Sequence, residues 1–200
     1  MTDSRLFAPA VARNRDPILD VLRKILPSKG VALEIASGSG EHVAHFAAAL
    51  PGLTFQPSDP NPQARASIDA WIAQTGLRNI RPAVALDASR PAWPIFGADA
   101  ILCINMVHIS PWAATKGLFH HAHEILTPGA PLYLYGPYLR EGTATAPSNL
   151  EFDASLRAQN PKWGLRDLAD VAAIARSNDF SAPEIIEMPA NNLSVIFRKI

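Results

Sequence analysis

The 200-residue chain is short of most features that mark a specialised partner or compartment. Its single cysteine, Cys103, leaves no disulfide framework and no cysteine cluster for zinc, the pattern of a protein kept in a reducing compartment. Charge of one sign is missing too. The 18 Lys and Arg balance the 18 Asp and Glu, so the basic surface that neutralises nucleic-acid phosphates or anionic lipid is not expected. No apolar run approaches the roughly 18 residues of a membrane helix, and Met1 to Arg15 lacks the apolar core of a secretory signal. The expectation is a cytoplasmic protein without a nucleic-acid or membrane partner. What is present is a 48% hydrophobic composition, enough for a sizeable core in one domain spanning 1–200. The 18 prolines are scattered as punctuation, with no repeat period.

Short apolar runs alternate with amphipathic stretches, which predicts βαβ units and a mostly parallel sheet, an α/β fold. After Asp16-Pro17, Ile18, Val21, Leu22 and Ile25 recur at helical spacing, so 1–27 should end in an N-terminal cap helix. Strands are expected at 31–36, 53–58, 80–86, 98–104, 131–135, 185–188 and 193–198, the last two as an antiparallel hairpin. Helices are expected at 42–50, from 61 or 62 to Gly76, from Ser110-Pro111 to Leu126, and at 165–178. Between strand five and the last helix, 136–164 reads as a turn-rich region with one short helix near Phe152 to Leu156, placed to cover a site.

The most informative stretch joins strand one to its helix: Glu34-Ile-Ala-Ser-Gly38-Ser-Gly40-Glu-His42. Gly38 and Gly40 permit left-handed backbone and let a ligand lie against bare peptide, at the carboxyl end of a strand where open α/β sheets bind ligands. A dinucleotide would rest its pyrophosphate on the helix N-terminus, but here Glu41 stands and a carboxylate opposes a phosphate. Glu34 adds a second negative charge, suited to a sulfonium or ammonium. Asp59 ends strand two, 25 residues on, where a carboxylate can accept both hydroxyls of a ribose. Asp87 ends strand three, placed for an exocyclic adenine amine; capping or turn roles compete for both aspartates.

With Glu34, Gly38, Gly40, Asp59 and Asp87 in this order, the chain resembles the class I S-adenosylmethionine-dependent methyltransferases along nearly its whole length. Within them it is similar to a methyltransferase-like family sharing Ala12-Arg13-Asn14, Glu34 to His42, Gln56-Pro-Ser-Asp59, Asn105-Met-Val-His108-Ile-Ser-Pro-Trp112, Tyr135-Gly-Pro-Tyr138, Trp163-Gly-Leu-Arg166-Asp167 and Met188-Pro-Ala-Asn191-Asn192. The resemblance implies a Rossmann-like sheet of seven strands, order 3-2-1-4-5-7-6 with strand seven antiparallel. It also implies S-adenosylmethionine as cofactor and S-adenosylhomocysteine as product, and it implies no substrate; the small-molecule acceptor is expected from the partly aromatic residues of the late loops and the neutral charge. Ala36 stands where the commonest motif has its first glycine, and still fits a close approach. Arg13, Asn14, Ala36, His42 and Asn105 join the cofactor set by this resemblance, with Arg13 suited to a methionine carboxylate or equally to a solvated helix start.

His108 is the general-base candidate, since an ordinary imidazole accepts a proton near neutrality; a structural histidine bonding the loop or the cofactor is the competing role. The Asn/Asp-Pro-Pro-aromatic pattern of amino-group methyltransferases is missing after Asn105. Trp112, Tyr135, Tyr138, Trp163, Arg166, Asn191 and Asn192 are the acceptor-side candidates, each of which could instead be packing. His120 and His123 lie at i, i+3 without a matching carboxylate, so no metal is expected. Two alternatives remain: a non-catalytic S-adenosylmethionine sensor, and an NAD-linked oxidoreductase.

Overall fold

The alternating pattern folds, in a computed structural model that describes residues 3–200, into one mixed six-stranded sheet with helices on both faces. The strands are β1 (Gly30–Ile35), β2 (Leu53–Pro57), β3 (Ala100–Ile104), β4 (Pro131–Gly136), β5 (Glu184–Met188) and β6 (Asn192–Arg198), in the order β2-β1-β3-β4-β6-β5. The pairs β2–β1, β1–β3 and β3–β4 are parallel, and β6 runs antiparallel to both its neighbours, β4 and β5. The central β3 and β4 are buried at every position, as strands covered on both faces must be, which is why they read as unbroken apolar runs.

The expected strand at 80–86 does not form, so the sheet has six strands, not seven. The segment does run beside β2: Phe55 N–H donates to Asn79 O at 2.8 Å, Arg81 N–H to Phe55 O at 2.9 Å and Val84 N–H to Pro57 O at 3.1 Å. Pro57 and Pro82 each lack an N–H, however, and the ladder is cut to isolated bridges at Phe55–Ile80 and Ser58–Val84. The Gln56 side chain fills the gap, donating to Pro82 O at 2.9 Å and Pro57 O at 3.1 Å.

The helices are α1 (Val11–Ile25), α2 (Glu41–Ala49), α3 (Pro62–Thr75), α4 (Trp112–Ile125), α5 (Pro147–Gln159) and α6 (Leu168–Ser177). Three differ from expectation. The first begins six residues before Pro17 and carries that proline inside it. The fifth fills about half of 136–164 as a full helix entered through Pro147. The sixth starts at Leu168 because the Asp167 side chain accepts the Ala169 N–H at 2.8 Å. One face of the sheet packs a core around Phe119, Leu132, Leu134 and Phe197. The other packs α1 and α2 through Leu22, Phe46, Phe55 and Tyr133. Among the described residues, no helix is long and apolar enough to cross a membrane.

Candidate functional site

At the carboxyl ends of β1, β2 and β3 lies a cleft of about 740 Å³, the volume of a small-molecule site. Its floor is the turn after β1. Ala36 sits there at φ 54°, a left-handed conformation that costs an L-residue roughly 1–2 kcal/mol, the kind of strain that collects at ligand sites. Gly38, at φ 58°, has open space where a Cβ would project, so bare backbone faces the cleft. Gly40 has a different reason: a Cβ there would lie 2.8 Å from Ile68 Cα, so this glycine lets α3 pack against the start of α2, and it does not line the cleft.

Asp59 is buried against this turn. Its Oδ2 accepts the Gly38 N–H at 3.0 Å and its Oδ1 the Asn61 N–H at 2.9 Å, which fixes the carboxylate at the cleft wall. Asp87, which also lines the cleft, accepts from Ser89 N–H at 2.9 Å and Ser89 Oγ–H at 2.7 Å. Burial raises its pKa, but those bonds and nearby Arg90 outweigh it, so the carboxyl sits below its usual value. His42 also lines the cleft, its Nε2 2.9 Å from Asn14 Oδ1. An amide oxygen only accepts, so Nε2 carries the proton, and burial pushes the imidazole down to about 4. Asn105, at φ 62°, and Trp163 complete the set of expected residues that reach the cleft: Ala36, Gly38, His42, Asp59, Asp87, Asn105 and Trp163.

The rest do not line it. Glu34 lies beneath the turn, 2% exposed, and desolvation pushes its carboxyl up to about 7. Arg13 is exposed on α1, and Asn14 acts through His42. Burial raises the Tyr135 hydroxyl, offset in part by Asn14 and Arg13 beside it. The His108 ring is fully buried, 4.9 Å from the Tyr138 ring, and neither of its nitrogens has a hydrogen-bond partner. Burial pushes it down to about 3, so the imidazole is neutral at neutral pH, and it does not line the cleft. Arg166 does not reach the cleft either: its guanidinium donates to the carbonyls of Val107, Ser110 and Lys162 at 3.3, 2.8 and 2.7 Å and lies 5.5 Å from the Trp112 ring. It clamps the two loops that carry Met106, Ile109 and Trp163. Tyr138 and Asn191 belong to a separate cavity of about 170 Å³ beside Arg140 and Glu187, and Asn192 closes the β5–β6 turn by donating to Pro189 O and Ala190 O.

Sequence reasoning missed the segment before α1. Ala8, Ala10 and Val11 form one wall of the cleft. The strap is pinned from both sides: Leu6 N–H donates to Ser67 Oγ at 2.7 Å, and Ala8 N–H to Glu41 Oε2 at 2.6 Å. The same Glu41 oxygen accepts the Ser39 hydroxyl at 2.9 Å, and Ser67 Oγ donates to Ser39 O at 2.6 Å, so strap and glycine turn share one network. No local pattern announces such contacts, since they join residues 28 to 61 positions apart. His120, His121 and Glu124 could present ligand atoms within 4.8 Å of one another. None lines the cleft, and both His121 nitrogens already face partners, Glu124 Oε2 at 2.8 Å and Arg90 O at 2.9 Å.

The fold is shared with solved methyltransferases. An O-methyltransferase family protein from Burkholderia thailandensis superposes with a TM-score of 0.80 at 17% identity, over 95% of this chain and 57% of that one. Human N-acetylserotonin methyltransferase in complex with SAM gives 0.75 at 15% identity, over 95% and 52%. In sequence, a tRNA (guanine-N(7)-)-methyltransferase from Rhodopseudomonas palustris (strain BisB5) is 34% identical over 98 residues, 48% of this chain and 38% of that protein. The chain thus spans well under two thirds of the length of these relatives. Residues 5–199 match the family described as "Protein of unknown function (DUF938)", and the chain belongs to it.

Proposed function

We propose that the protein is an S-adenosylmethionine-dependent methyltransferase acting on a small-molecule acceptor. The observation that carries this reading is the charge of the cleft: Asp59 and Asp87 face it, and none of the described residues lining it is Lys or Arg. A wall with two carboxylates and no cation suits a sulfonium and disfavours a pyrophosphate or a nucleic-acid backbone. On this reading Asp59 accepts the ribose hydroxyls and Asp87 lies near the adenine. The backbone at Ala36 and Gly38, with Asn105 and His42, surrounds the methionine end, while Glu34 and Asn14 support the turn and His42 from behind. The fold it shares with a SAM-bound structure supports the placement.

His108 keeps only a supporting role here. Methyl transfer needs in-line alignment and desolvation rather than an obligatory base, so a ring sealed behind the wall is compatible with turnover. Trp163 stands at the acceptor end, with Arg166 and Trp112 holding its loops. The test is calorimetric titration of the whole chain with S-adenosylmethionine and S-adenosylhomocysteine, beside NADH. Binding of both sulfur ligands and not of NADH supports the reading; no binding of either overturns it. Binding without turnover of any acceptor would favour the sensor alternative.

A further inference from the structure

Outside the cleft, the C-terminal end of α4 gathers three metal-ligating side chains. Glu124 follows His120 by four residues and His121 by three, the spacings at which side chains meet on a helix surface. Its Oε2 lies 2.8 Å from His121 Nδ1 and its Oε1 3.7 Å from His120 Nε2, and one ligand atom from each residue falls within 4.8 Å of the other two. Pairing His120 with His123 leaves the set without a carboxylate; pairing it with His121 brings in Glu124. His123 belongs to another group, its Nδ1 3.0 Å from Asn178 O and 3.6 Å from Asp179 Oδ2.

His121 is the fixed member. It is 4% exposed, its ring lies 4.8 Å from the Trp93 ring, and its Nε2 is 2.9 Å from the Arg90 carbonyl oxygen. A carbonyl only accepts, so Nε2 carries the N–H, and in a neutral imidazole Nδ1 then presents a lone pair. It presents that lone pair to a carboxylate oxygen, which also only accepts. At 2.8 Å the two repel unless a positive centre joins them, either a second proton on the ring or a metal cation held by both. A proton engages two of the three side chains, whereas a cation engages all three. Ligating imidazoles regularly donate their remaining N–H to a backbone carbonyl, as His121 does to Arg90.

We propose that His120, His121 and Glu124 bind a divalent transition metal of the zinc type. Two imidazoles and a carboxylate suit Zn²⁺, whereas Mg²⁺ and Ca²⁺ take oxygen ligands. Tetrahedral zinc holds its ligand atoms about 3.3 Å apart, between the 2.8 and 3.7 Å found here. The side chains of His120 and Glu124, 62% and 52% exposed, have room to adjust around the fixed His121, and water can take the fourth position. None of the three ligands lines the cleft, so the role is structural. The metal fixes His121 and, through its N–H, the Arg90 carbonyl, which directly follows the cleft-lining Asp87, Ala88 and Ser89. Nothing in this arrangement depends on the methyltransferase reading.

The experiment uses the whole chain, free of any histidine tag and stripped with a chelator, titrated calorimetrically with zinc chloride beside magnesium and calcium chloride. The expected result is one equivalent of Zn²⁺ bound at about micromolar Kd, weaker than a closed four-ligand site, with a raised Tm and no response to Mg²⁺ or Ca²⁺. Affinity should fall at least about 10-fold in His120→Asn, in Glu124→Gln and in His121→Gln, and stay unchanged in His123→Asn. His121 is buried and its variant can fail to fold, but His120 and Glu124 are over half exposed, so their variants carry the test alone. A Kd above about 100 μM, or affinity kept in both His120→Asn and Glu124→Gln, overturns the proposal and leaves a proton between His121 and Glu124. Loss of binding in His123→Asn alone overturns it as well, by moving the metal to the neighbouring group.

Discussion

Gly136→Ala tests whether His108 is free to act in the cleft. Gly136 ends β4 at φ 152°, and a Cβ there would overlap His108 Nε2 and lie 2.7 Å from its Cδ2 and 3.2 Å from Asn105 Oδ1. Overpacking of this kind costs roughly 1–3 kcal/mol, and holding a side chain at that φ costs about 1 kcal/mol or more. The variant should therefore lose about 2–4 kcal/mol of stability, read as a lower urea midpoint at unchanged slope. Removing the ring isolates the first part: Gly136→Ala in a His108→Ala background should cost about 1–3 kcal/mol less than in the natural chain, a coupling measured by the double-mutant cycle. A ring able to swing toward the cleft would make way for the new methyl group. Additivity of the two substitutions, or a loss under about 1 kcal/mol for Gly136→Ala alone, would refute the fixed-ring argument and return His108 to the list of bases.

Other perturbations read other parts of the site. Asp59→Asn keeps the side-chain size but offers an N–H to one of two backbone donors, so S-adenosylmethionine affinity should fall by roughly 10–100-fold, about 1.5–3 kcal/mol, in calorimetry; unchanged affinity would remove Asp59 from the cofactor site. Glu34 stays protonated in the folded chain up to about pH 7 but ionises from about 4.5 when unfolded, so between these values the unfolded state binds fewer protons and stability falls as pH rises. Glu34→Gln should flatten that slope and gain up to about 3 kcal/mol at pH 8, with little change at pH 4; a parent curve that rises through this window contradicts the assignment. Glu41→Gln should weaken the shared oxygen that holds the Ala8 N–H and Ser39 hydroxyl. Faster hydrogen exchange at residues 6–10 and faster release of S-adenosylhomocysteine are expected, and identical exchange in both proteins would show that the strap is held by other contacts.

Much of the molecule was legible because its signals are local. The β1 turn announces itself by an apolar run ending in small residues and two glycines, and Asp59 and Asp87 by ending the segments that follow. Strands β3 and β4 show through unbroken apolar runs that only a doubly covered sheet requires. The 80–86 segment has the composition of a strand, and its defect lies in pairing: the two prolines that break the ladder sit on different segments, and only their alignment across the sheet makes Pro57 and Pro82 coincide. Arg166 and His108 misled for a related reason. A residue type states what chemistry is available, and its direction decides whether that chemistry is delivered.

The sequence alone therefore determined the layered α/β fold, the end of the sheet where the cleft opens and the acidic side chains that line it, because turn glycines, strand periodicity and strand-end carboxylates act within a few residues of themselves. The tertiary structure decided which groups face the cleft. It turned the Arg166 guanidinium onto three carbonyls, sealed His108 beneath a glycine that leaves no room for a Cβ, and folded residues 6–11 back as a wall. Those outcomes depend on contacts between segments 28 to 61 positions apart. Their free energy exists only once the sheet has brought the segments together.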